Sequence, residues 1–139
     1  MKTVRVLSIS LLVLIGGAAI FGGGSLLLNP SGSRVGLPLS LLDGSPFTNY
    51  FIPGLVLLLS IGLPSLIIAI LGIIHNAYSA QLTVLQGAIV SGWIIVQAII
   101  IHVITPIQVV VGAVGFILFC LGLFQQEDES VSRENRYAD

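Results

Sequence analysis

Residues 44–126 contain no Asp, Glu, Lys or Arg, an uncharged run of 83 residues in a chain of 139. A soluble domain is roughly 25% charged; this chain is 8% charged and 55% apolar, with a mean hydropathy of +1.08. Such a polypeptide has too little polar surface to face water on all sides, so its solvent is expected to be lipid. Only helices and closed barrels satisfy their own backbone there. Apolar runs of about 20 residues cross a hydrocarbon core of about 30 Å as helices.

Four such runs can be cut: about 4–28, 51–74, 82–104 and 107–124. The expected fold is all-α, an antiparallel four-helix transmembrane bundle forming one membrane domain over 1–124. A 22-residue outer loop, Asn29 to Tyr50, joins the first two spans, and a polar tail occupies 125–139. The first span has a basic start and a Gly22-Gly23-Gly24 run that imitates a leader peptide. Its uncharged stretch from Val6 to Pro30 exceeds the 7–15 residues of a usual leader core, which favours a span.

Lys2, Arg5, Arg133 and Arg136 fall on the side of the termini, and Arg34 alone falls on the other. The positive-inside rule then places both termini in the cytoplasm of a multi-pass protein of the cell (inner) membrane. No basic stripe suits a nucleic acid. A single cysteine, Cys120, allows no internal disulfide and reads as a small packing residue.

Small residues recur four apart. Ala18/Gly22 and Ala19/Gly23 in the first span, and Gly87/Ser91 and Ala88/Gly92 in the third, suit close helix approach in lipid. Gly115 and Gly122 add a heptad-spaced pair in the fourth. These seams serve packing within the bundle or contact between copies. The loop 36–47 carries four leucines and Phe47 between Pro38 and Pro46, too apolar for a solvated loop. It is expected to fold as an interfacial cap over the bundle mouth, with Tyr50 and Phe51 at the lipid–water boundary. Arg34 and Asp43, the only charges on this side, are expected to pair across it. Pro53 suits a first helical turn. Pro64 lies mid-span, strips the Ser60 carbonyl of its donor and should kink the helix, with Ser60 or Ser65 helping to satisfy the freed group. The tail should be solvated and largely disordered.

The one concentrated polar signal is in the third span. At 100° per residue, Gln86, Trp93 and Gln97 share a stripe within about 40°. Amides of this kind belong inside protein or a wet cavity. The stripe is either interhelical bonding or a ligand site for a lipid headgroup, quinone or other amphiphile. No metal, cofactor or catalytic constellation stands out. His75 and His102 fall at opposite ends of the bundle, too far apart to share a metal in one subunit. The membrane interior offers no carboxylate for coupled transport.

The loop Gly36-x-Pro38-Leu39-x-x-Leu42-x-Gly44-Ser45-Pro46-Phe47, followed by Pro53-Gly54, resembles that of a group of small, functionally uncharacterised prokaryotic four-helix integral membrane proteins. So does Gln86-Gly87-x4-Gly92-Trp93-x3-Gln97 in span three. The chain is also loosely similar to DoxX-like proteins. The resemblance, over about residues 5–124, implies the same four-helix fold and carries over no functional residue.

Three functions follow in order of expectation. The first is an accessory or structural subunit, packing with other membrane subunits or with itself. The second is a binding or carrier protein for a lipid- or quinone-like amphiphile. A membrane enzyme is disfavoured by the missing nucleophiles and bases, so the chain reads as a non-enzyme.

Overall fold

The computed structural model describes residues 2–138. Among them are four long helices: α1 (Lys2–Leu28), α2 (Phe51–Ile73), α3 (Ser79–Ile101) and α4 (Pro106–Ala138). Each is long and apolar enough to cross a membrane, and the chain is a multi-pass membrane protein. The helices run antiparallel in a ring in which α1 touches α2 and α4, and α3 touches α2 and α4. Leu12, Ile15, Ala19, Ile61, Ile68, Val90 and Leu118 fill the centre. Outward-facing Phe21, Ile67, Ile99 and Phe116 are more than half exposed, as a lipid-facing surface requires.

Small residues set the seams, but not all those the sequence singled out. Along α3–α4, a Cβ on Gly87 would stand 2.7 Å from the Gly115 carbonyl oxygen. One on Gly122 would stand 2.7 Å from the Val84 nitrogen. Along α1–α2, a Cβ on Gly23 would come within 2.8 Å of the Gly54 oxygen. These backbones approach as closely as side-chain-free positions allow. Ala19 is buried among them, while Gly22 meets only the tip of Leu57, 3.7 Å from where a Cβ would stand. Ala88 and Gly92 form no seam within the bundle. Ala88 is exposed and nothing lies within 4 Å of a Cβ on Gly92, because the α3 face turned to α4 carries Ala80, Val84, Gly87 and Ser91 instead. Ala18 is likewise exposed.

Helix ends show where sequence and structure part. His75 and His102 both adopt positive φ, 56° and 58°. The left-handed conformation stops a helix, a task glycine usually performs. His102 therefore ends α3 at Ile101, three residues before the boundary that hydropathy alone suggests, and its N–H closes back on the Ala98 carbonyl at 3.0 Å. At the other end the expected disordered tail is instead helical through Ala138; Asp139 lies outside the described residues. After Gly122 the chain has neither Gly nor Pro, and Gln, Glu and Arg are good helix formers. At 33 residues α4 is about 50 Å long and must project from a core of about 30 Å. Two contacts tie its projecting part to α1: Gln125 Nε2 donates to Ser8 Oγ at 2.6 Å, and Arg5 lies 3.6 Å from Glu129.

The loop between α1 and α2 folds as a cap. It carries two short 3₁₀ turns, Ser33–Val35 and Leu39–Leu42. Leu26, Leu42 and Tyr50 bury together, with Val35, Leu37 and Phe47 against them. Tyr50 is the latch rather than a boundary residue: 3% exposed, it donates from its hydroxyl to the Pro38 carbonyl (2.7 Å) and from its amide to the Pro30 carbonyl (2.9 Å). Phe51 is exposed as expected. Arg34 and Asp43 form no salt bridge; both side chains point to the exterior, where an ion pair contributes little.

The seams make opposite forecasts for two glycines five positions apart. Gly87→Ala should cost about 1–3 kcal/mol, as overpacking against backbone does. Gly92→Ala should be neutral or slightly stabilising, since alanine is the better helix former by about 1 kcal/mol. Thermal unfolding in detergent compares them directly. Equal effects would mean that the α3–α4 seam lies on another face.

Candidate functional site

The polar stripe of α3 divides into two unlike parts. Its first member, Gln86, is 1% exposed and faces the middle of α2. There Leu58–Gly62 forms a π turn, directly before Pro64. Proline has no N–H for the Ser60 carbonyl, and no water is at hand in a bilayer core. Gln86 Nε2 occupies the gap, 3.2 Å from the Ser60 oxygen, 3.4 Å from the Ile61 oxygen and 2.9 Å from Ser65 Oγ. The donor arrives from a neighbouring helix. Ser60 itself donates to Val56 of its own helix, at 2.5 Å, and Ser65 joins the Gln86 amide.

The irregular turn also separates α2 into two directions of packing. Leu63–Ile73 packs on α1 and α3, while Phe51–Leu57 leans on α1 with no comparable contact to α3. Between that first half of α2 and the last turns of α3 the bundle is hollow. Two apolar hollows, about 300 and 260 Å³, share the walls Leu57, Trp93, Gln97, Ile107 and Gln108. The deeper one reaches Ile15, Ala19 and Ile61; the outer one lies under the cap, against Leu42, Phe47 and Tyr50. Trp93 and Gln97 therefore belong to a cavity, and Gln86 does not.

Gln108 is the wall residue that the stripe did not include. It opens α4 through a reciprocal cap: Thr105 N donates to Gln108 Oε1 (2.8 Å), and Gln108 N points at Thr105 Oγ1 (3.4 Å). Thr105-Pro106-Ile107-Gln108 is a capping box with proline in the first turn, a signal present in the sequence. Once its oxygen is used, the Gln108 amide nitrogen turns to Gln97 Oε1 in a long contact of 3.5 Å. That orients Gln97 and leaves its Nε2 without a hydrogen-bond partner among the described residues.

The hollow is electrically neutral. Its one titratable wall group, Tyr50, is pushed above the ordinary phenol value of 10 by burial, so it stays protonated at neutral pH. His75 and His102 stand at the ends of different helices, outside the hollow walls. No group of three or more His, Cys, Asp or Glu residues comes together among the described residues. The arrangement offers apolar walls, one indole and two linked amides, a set suited to holding a molecule of mixed polarity. No family model, curated protein or solved structure matches the chain.

The bridge from Gln86 to α2 is open to a double-mutant cycle. Gln86→Leu alone should destabilise by about 1–3 kcal/mol, since it strands buried acceptors. In a Pro64→Ala background, where residue 64 regains its own N–H, the cost should fall by about 1 kcal/mol. Equal costs in both backgrounds, measured by unfolding in detergent, would show that Gln86 does not replace the missing donor.

Proposed function

We propose that the protein binds an amphiphile within the membrane, in the hollow between the first half of α2 and the end of α3. The unpartnered Gln97 Nε2, set in apolar walls beside Trp93, supports this reading most directly. An amide donor in a hydrocarbon setting gains most from a ligand carbonyl, hydroxyl or carboxyl oxygen. The remaining walls are aliphatic or aromatic and accept a chain or a ring. At about 300 Å³ the space lies at the small end of ligand pockets. Its occupant is one chain or one ring system, such as a quinone head or a single acyl tail. With no ionisable group in the membrane-buried walls, binding or carriage fits better than coupled pumping.

A second reading concerns assembly. Ala88 and Gly92 turn outward on α3 with no neighbouring helix, and Gly17 and Gly24 do the same on α1. Outward small residues are what a further helix, from another subunit or a second copy, would pack against. Under this reading the chain is an accessory subunit, and Gly92→Leu should dissociate a complex while leaving the monomer folded.

Trp93 is the sole tryptophan of the chain, so its emission reports on the hollow without interference. In liposomes, titration with a short-chain quinone and with a bromo-fatty acid should quench Trp93 saturably. Gln97→Leu should weaken the better ligand by about tenfold, the worth of one well-placed hydrogen bond. Quenching that rises linearly with the membrane concentration of both probes, in wild type and variant alike, would mean partition into lipid and no site.

A further inference from the structure

A separate, polar hollow lies at the end of the bundle that carries both termini, and nothing in the amphiphile site accounts for it. Its volume is about 450 Å³, and three separate stretches of chain wall it. Lys2 and Arg5 come from the start of α1, His75 and Asn76 from the turn between α2 and α3, and Arg133 and Arg136 from the projecting part of α4. Four of the five Lys and Arg residues of the protein thus meet in one depression. Asp128 and Glu129 share the wall, so four cations stand against two carboxylates and two positive charges are in excess with His75 neutral.

Charge alone would describe any membrane protein with basic ends. Arg5 supplies the independent observation. One of its terminal nitrogens is 3.6 Å from Glu129, but its Nε is buried with no hydrogen-bond acceptor. The Arg5 side chain as a whole keeps 27% exposure and lines the depression, so its fork is accessible there while the nearest carboxylate stands beyond hydrogen-bond distance. Arginine presents its donors as a planar fork that matches the oxygens of a phosphate, and a single carboxylate at 3.6 Å does not fill it.

We propose that this depression is a phosphate-binding site, in which Arg5 donates to the phosphate oxygens while Lys2, Arg133 and Arg136 neutralise its charge. The ordered helical extension of α4 has a role in this arrangement. It carries Arg133 and Arg136 back over the start of α1, where a disordered tail would leave them dispersed. The phosphate belongs either to the headgroup of an anionic phospholipid or to a soluble phosphate compound.

The test uses the full chain in mild detergent, with native mass spectrometry for phosphatidylglycerol against phosphatidylcholine and calorimetry for inorganic phosphate. Retention of phosphatidylglycerol over phosphatidylcholine by about tenfold or more, lost in Arg133→Gln, supports the site with a lipid source. Saturable binding of inorganic phosphate, likewise lost in Arg133→Gln, supports it with a soluble source. Arg133 is exposed, so its substitution leaves the bundle folded, and Arg5→Lys provides the second variant, keeping the charge without the planar fork, and should likewise lower binding. Arg34→Gln removes the one cation at the opposite end and should change nothing. The proposal is overturned if neither ligand binds in preference, or if Arg34→Gln lowers binding as much as Arg133→Gln. Trp93 quenching should be the same in wild type and Arg133→Gln, so either site can fail without the other.

Discussion

Hydrocarbon offers no hydrogen bonds, so each backbone group of a spanning helix needs a partner from protein. Pro64 breaks that condition in the middle of α2, and the Gln86 amide restores it from α3. Much of the architecture depends on this repair. It holds the second half of α2 to α3 and fixes the register of the two helices. It also leaves the first half of α2, beyond the π turn, to follow α1 through the Gly23–Gly54 contact. The hollow is what remains between two helices that are joined at one level and not at the next.

What the sequence disclosed follows from how local each cause is. The four spans are legible because apolar length is a property of a single segment. The α3 stripe is legible because helical periodicity puts Gln86, Trp93 and Gln97 on one face regardless of neighbours. Its division into a bridge and a cavity wall is not, since that depends on where α2 irregularities fall opposite it. The same limit explains the small-residue pairs. Gly87/Ser91 and Ala88/Gly92 look alike along the chain, and only the position of α4 makes the first a seam and the second an outer surface.

Other differences have separate causes. His102 ends α3 through a left-handed backbone that hydropathy does not register. Tyr50 is drawn under the cap because the Pro38 carbonyl accepts its hydroxyl, a long-range bond invisible in composition. The tail is helical because its residues favour helix and α1 holds its first turns through Ser8 and Arg5, whereas low hydropathy alone suggests disorder. Gln108 is the instructive omission. Thr105-x-x-Gln108 is a helix-start signal in the sequence, and it puts a second amide in the first turn of α4, beside Gln97.

The two hollows differ in how they would recognise a ligand, and the difference follows from depth. Near the terminal end Lys2, Arg133 and Arg136 are exposed and can gather without a prohibitive desolvation cost, so arginine and lysine are suitable there. Inside the bundle an isolated charge would be far more costly to bury than a neutral amide. An amide is also a two-sided group: rotation by 180° exchanges its donor and acceptor ends. The long 3.5 Å contact from Gln108 Nε2 to Gln97 Oε1 turns the donor end of Gln97 to the hollow. In the proposed amphiphile site the capping requirement of α4 would thereby set the polarity of the ligand contact on α3: Thr105 engages the Gln108 oxygen, Gln108 the Gln97 oxygen, and a ligand's oxygen acceptor would complete the chain.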